Sequence, residues 1–100
     1  MAIEVSWSDE AIKTFQENIN YLQKNWSDKE VDRFIQQTEN IIVRLKKFPE
    51  SYPPGFKNKK YRKARLNKYI AIFYSYNKFN SKIVLLSFWN VRQDPGKLKY

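Results

Sequence analysis

The sequence predicts an α+β fold, a single domain over residues 1–100 in the order β-α-α-β-β-β, with an N-terminal helical hairpin packed on one face of a small, mainly antiparallel sheet. Three observations predict it. Apolar residues recur at helical spacing through the first half, they alternate or run on at strand length through the second, and Pro49, Pro53, Pro54 and Gly55 divide the two. A chain of 100 residues that is 42% hydrophobic fills one core and not two. Aromatics at 17%, with only 2 Gly and 4 Pro, exclude a disordered polymer.

Ile3, Val5 and Trp7 alternate with Glu4 and Ser6, the period of a half-buried strand. Ile12, Phe15, Ile19, Leu22 and Trp26 then fall on one stripe of a helix over residues 8–25. Val31, Phe34 or Ile35, Thr38, Ile41 or Ile42, Leu45 and Phe48 mark a second helix. Both helices begin alike, with Trp7-Ser8-Asp9 before Ile12 and Trp26-Ser27-Asp28 before Val31. In each the serine caps free amides, the aspartate meets the positive helix end, and the tryptophan staples onto the fourth helical position. Ser27 with Glu30 completes a capping box, so capping explains the repeat without a duplicated functional motif. The short link between the helices requires an antiparallel hairpin.

After the proline cluster the pattern is that of sheet. Residues 61–68 alternate cations with Ala64 and Leu66, residues 69–76 are aromatic and β-branched, and residues 82–89 are apolar on both faces, as a central strand would be. Residues 77–81 supply a hairpin turn. One apolar stripe per helix covers one face of this sheet and leaves the other partly open. The element order excludes a ferredoxin-like RNA-recognition domain and a double-stranded-RNA domain, each of which places a helix where this chain has strands.

Charge is unevenly divided. Residues 1–50 hold seven basic and nine acidic side chains; residues 51–100 hold twelve basic and one acidic, Asp94, a net of +11. An anionic partner, nucleic acid first, is expected to face the second half. The longest charge-free stretches are nine residues, against the roughly 20 a spanning helix needs, so no membrane partner is expected. The start lacks the basic and apolar regions of a secretory signal, and a cytoplasmic protein is the expectation. No cysteine and no histidine occur, so neither a metal site nor a cofactor is expected, and the usual general base near neutral pH is missing.

Two constellations could carry chemistry. Lys57, Lys59, Lys60, Arg62, Lys63 and Arg65 surround Tyr61 between the proline loop and the second strand. Alternation puts Arg62 on the face of Ala64 and Leu66, and Tyr61, Lys63 and Arg65 on the other. A charged edge strand that resists aggregation would use lysines. Arginine forks point further, to bidentate phosphate contacts. The second constellation is Phe88-Trp89-Asn90-Val91-Arg92-Gln93-Asp94-Pro95, where an apolar strand gives way to polar residues.

The element order, the opening Trp-Ser-x-x-Ala, the aromatic strand at residues 69–74 and the closing Phe-Trp-Asn-x-Arg-Gln-Asp-Pro-x-x-Leu resemble the RelE/ParE superfamily of bacterial type II toxins over nearly the whole chain. The resemblance implies a growth-arresting toxin held silent by a cognate antitoxin. RelE-like members cut messenger RNA on the ribosome, and by that likeness Arg62 or Arg65, Arg92 and the tail aromatic Tyr100, eight residues past Arg92, would be the catalytic positions. ParE-like members poison DNA gyrase without hydrolysis. In that case Lys57, Lys59, Lys60, Lys63 and Arg92 would contact the target. RNA cleavage needs a base, charge stabilisation and an acid; Arg92 supplies only the second, and Lys or Tyr, with reference pKa values of about 10, makes a poor base. The missing histidine tilts the balance toward gyrase inhibition. A ribosome-dependent nuclease, and a non-toxic basic nucleic-acid-binding module, stay open.

Overall fold

A computed structural model describes residues 2–55, 60–92 and 100. Its elements are β1 (Glu4–Trp7), α1 (Asp9–Asn25), α2 (Asp28–Lys47), β2 (Arg62–Arg65), β3 (Ile70–Asn77) and β4 (Lys82–Asn90), in the predicted order. The sheet runs β1-β4-β3-β2, with β1 parallel to β4 and the other pairs antiparallel. Strand β4 is central, as apolar residues on both of its faces require. Both helices lie against one face, over a core of Ala11, Phe34, Leu45, Ala64, Ile70, Ile72, Tyr74, Ile83, Leu85 and Phe88.

A bulge shapes that core. Phe73 pairs with Ser87 and Tyr74 with Leu85, so Leu86 is an extra residue on β4. The insertion shifts the alternation, placing Ile83, Leu85 and Phe88 all beneath the helices. Phe88 anchors an aromatic cluster in which Trp7 stacks on it at 5.2 Å and Phe15 meets it edge-on at 5.1 Å.

Strand β1 stops at Trp7, opposite Leu85, and leaves the next stretch of β4 without a strand partner on that edge. Helix α1 takes its place with polar side chains. Ser8 Oγ donates to the Leu86 carbonyl at 3.0 Å, the Phe88 amide donates to Thr14 Oγ1 at 2.9 Å, and Asn18 Nδ2 donates to the Phe88 carbonyl at 3.3 Å. This docking turns the helix, so Ala11 and Asn18 are buried while Ile12 and Trp26, expected on the buried stripe, are each 56% exposed.

Three local expectations change. Ser8 caps α1 through Ala11 N, but Ser27 makes no side-chain cap and the capping box with Glu30 does not form; Glu30 N bonds the Ser27 carbonyl instead. Trp7 packs on Phe15 and Phe88 rather than stapling onto the exposed Ile12. Strand β2 ends at Arg65, because the Asn67 side chain accepts from Tyr69 N and Ile70 N and makes a turn of residues that the sequence pattern assigned to strands. Among the described residues no helix is long and apolar enough to cross a membrane.

Candidate functional site

The basic residues divide among three places. Arg62, on the covered face with Ala64 and Leu66, donates to the carbonyls of Glu50 at 3.1 Å and Tyr52 at 2.8 Å, and pairs with the Glu50 carboxylate at 3.7 Å. The same loop closes the sheet edge, with Gly55 N bonding Tyr61 O and Lys63 N bonding Pro53 O at 2.7 and 2.9 Å. Tyr74 donates to the Pro49 carbonyl at 2.8 Å, and burial pushes its hydroxyl pKa up, against the opposing pull of Arg62. Arg62 is thus a strut between loop and sheet. The edge is shielded by backbone bonds as well as by charge.

Lys63 and Arg65 point to the opposite face, beside Phe73 and Ala71, their partners on β3. Tyr100 lies there too. Its ring stacks on Phe73 with centroids 5.5 Å apart, meets Tyr61 edge-on at 5.2 Å, and its hydroxyl donates to Glu10 at 3.1 Å. Phe73 is only 1% exposed even though it lies on the face opposite α1 and α2. Burial, then the bond to the Glu10 carboxylate, pushes the Tyr100 hydroxyl up to about 12. At neutral pH it is a donor and not a base.

Arg92 follows β4 at the other end of the sheet from Arg62. Its amide bonds Asn90 Oδ1 at 2.9 Å, its guanidinium carbon lies 4.4 Å above the Tyr69 ring, and it donates to the Tyr21 hydroxyl. Lys68 lies 5.7 Å from the same Tyr69 ring. Across from them, α2 contributes Arg33, paired with Glu30 at 3.7 Å. These side chains, with Trp26 and a floor of Phe34 and Ile70, line a groove of about 200 Å³ between the helical hairpin and the sheet end. Three cations, two tyrosines and a ring of amides from Asn18, Gln37, Asn67 and Asn90 can hold an anion or a planar group.

The three arginines therefore do not converge. Arg62 sits opposite Tyr74 and Arg92 beside Tyr69, separated by roughly 17 Å along β3. Arg62 and Arg65 lie on opposite faces of β2, whereas Lys63 and Arg65 share one. Lys60 borders the hairpin end near Arg62, and Lys57, Lys59 and the segment after Arg92 with Asp94 lie outside the described residues. Sequence reasoning missed Tyr21, Arg33, Lys68, Tyr69 and Glu10. The turn-forming Asn67 could have flagged Lys68 and Tyr69. Tyr21, Arg33 and Glu10 read as ordinary solvent-facing helix positions. Among the described residues no group of three acidic side chains converges to hold a metal.

The chain matches the family model described as the ParE toxin of the type II toxin-antitoxin system parDE over residues 5–95. It is similar in structure to a YoeB/ParE toxin from Agrobacterium tumefaciens, with 11% identity, 88% of this chain and 98% of that one covered, and a TM-score of 0.64. The chromosomal ParDE system from P. aeruginosa gives 10% identity, 89% and 96% coverage and 0.64. The toxin-antitoxin complex RelBE2 from Mycobacterium tuberculosis gives 12%, 90% and 99%, and 0.64. No curated protein sequence matches the chain.

Proposed function

This chain belongs to the ParE toxin family of type II toxin-antitoxin systems, and on that premise we propose that it arrests growth by gripping its target rather than by hydrolysing it, as a ParE-like inhibitor of DNA gyrase in the cytoplasm. One observation carries the reading: two of the groups that RNA cleavage would call on, Arg62 and Tyr100, are donors already committed elsewhere. Arg62 is tied to Glu50 and two loop carbonyls, and the Tyr100 hydroxyl is held protonated against Glu10. Arg92, stacked on Tyr69 within a groove that also holds Lys68 and Arg33, is a contact residue for an acidic or phosphate-bearing surface. A cognate antitoxin is the partner that would silence it, since solved folds like this one include toxin-antitoxin complexes.

A second reading is favoured by Lys63 and Arg65 sharing with Tyr61 and Tyr100 the face opposite α1 and α2. Two cations beside stacked aromatics suit a ribonucleotide backbone, as a RelE-like, ribosome-dependent endoribonuclease would need. Induced expression separates the two. Gyrase-dependent DNA damage with intact transcripts, and loss of supercoiling by purified gyrase, are expected; transcripts cut in the ribosomal A site would replace the first reading with the second. Normal growth on induction would leave only a basic binding module.

A further inference from the structure

We propose that the tip of the β3–β4 hairpin is a separate contact for single-stranded nucleic acid, at which the ring of Phe79 stacks on an exposed base. Phe79 is 93% exposed, whereas the other large exposed hydrophobic side chains among the described residues range from 38% to 58%. Nothing in its own packing accounts for a phenylalanine at that place. The ring is also held out. Its amide donates to Asn77 Oδ1 at 3.0 Å, Ser81 closes the turn at a φ of 54° in the left-handed region, and the last paired residues, Asn77 and Lys82, tie the tip to two long strands.

The surroundings name the ligand. Residues 77–82 read Asn-Lys-Phe-Asn-Ser-Lys, so the only apolar group of the tip stands among cations and amides. A protein hot spot would be ringed by further apolar contacts, and a membrane anchor would carry several aliphatic or aromatic groups. A lone ring among cations is instead the pairing used on unpaired strands, where a base stacks on the ring and the ammonium groups meet the phosphates. A depression of about 510 Å³ lined by Lys60, Tyr76, Asn77 and Lys78, with the paired Arg62 and Glu50 in its wall, adjoins the tip and offers the backbone a path. The two nearby carboxylates are engaged, Glu50 by Arg62 at 3.7 Å and Glu4 by Lys82 at 4.0 Å.

Fluorescence anisotropy with a short labelled single-stranded oligonucleotide, on the whole chain, tests this. Phe79→Ala is expected to weaken binding roughly 5- to 100-fold, Phe79→Trp to preserve it, and Phe79→Leu to fail as badly as alanine, because leucine offers an apolar group without a π face. Equal binding by Phe79→Ala and the parent chain would overturn the proposal. So would full binding by Phe79→Leu, or loss of binding to anionic vesicles in Phe79→Ala while oligonucleotide binding stays intact. The fully exposed ring leaves the thermal midpoint unchanged, and the outcome is independent of whether gyrase or the ribosome is the target.

Discussion

Arg92 sets its guanidinium carbon 4.4 Å above the ring of Tyr69, a residue 23 positions earlier that the chain brings to the same end of the sheet. The contact joins β4 to the turn before β3 through a cation over a π face, and both side chains are exposed. Arg92→Ala is therefore expected to abolish growth arrest while shifting the thermal midpoint by no more than about 4 °C from the parent. Arg92→Lys should retain part of the toxicity, since the charge survives but the planar fork does not. Full toxicity of the alanine variant would assign the closing motif a structural role only.

Arg62 should behave in the opposite way. Its bonds to Glu50 and Tyr52 tie the proline loop to the edge strand, so Arg62→Ala is expected to cost about 1–2 kcal/mol in urea unfolding, after allowance for its partial exposure. Glu50→Gln should cost less, because the two carbonyl bonds remain. A variant that keeps full stability and loses toxicity would make Arg62 a contact residue instead.

Thr14→Val keeps the shape of the side chain and removes the acceptor of the Phe88 amide. That amide belongs to a residue 1% exposed, so losing its partner is expected to cost about 1–3 kcal/mol, read from denaturant midpoints. The adjacent Ser8 and Asn18 bonds to β4 remain, which keeps the fold intact.

The Tyr100 hydroxyl has an ordinary value of 10.0 and is pushed up to about 12 in the folded chain. Below about pH 10 the phenol is protonated in both states and its full contribution to stability is present. Between about pH 10 and 12 the unfolded chain ionises first, so stability falls with rising pH. Tyr74 is displaced in the same direction by burial and adds to the fall. Tyr100→Phe should flatten part of this alkaline slope, and tyrosinate absorbance should show one fewer late-titrating group. An unchanged slope would place the Tyr100 ring in solvent.

Much of the architecture was legible along the chain, and the reason differs by element. The existence of α1 and α2, the Ser8 cap and the largely apolar β4 are written in local periodicity, although the stripe of α1 is turned so that Ile12 and Trp26 face outward. The faces of β2 followed from alternation alone, and Arg62 does lie with Ala64 and Leu66 while Lys63 and Arg65 lie opposite. The bulge at Leu86 left no such trace. Leu86 lies between Leu85 and Ser87 in a strand whose two faces both carry apolar residues, so no alternation marks where the register shifts.

By itself the sequence determined the order of elements, the central strand and the concentration of positive charge in the second half, because composition and spacing depend only on neighbours in the chain. Tertiary structure decided which cations act together. It tied Arg62 to Glu50, stacked Tyr100 on Phe73, and joined Arg92 to Tyr21, Lys68 and Arg33 across one groove. A charge meets its partner by folding, through strand register and the turn of a helix that replaced a missing strand, and neither quantity is written in the spacing of residues along the chain.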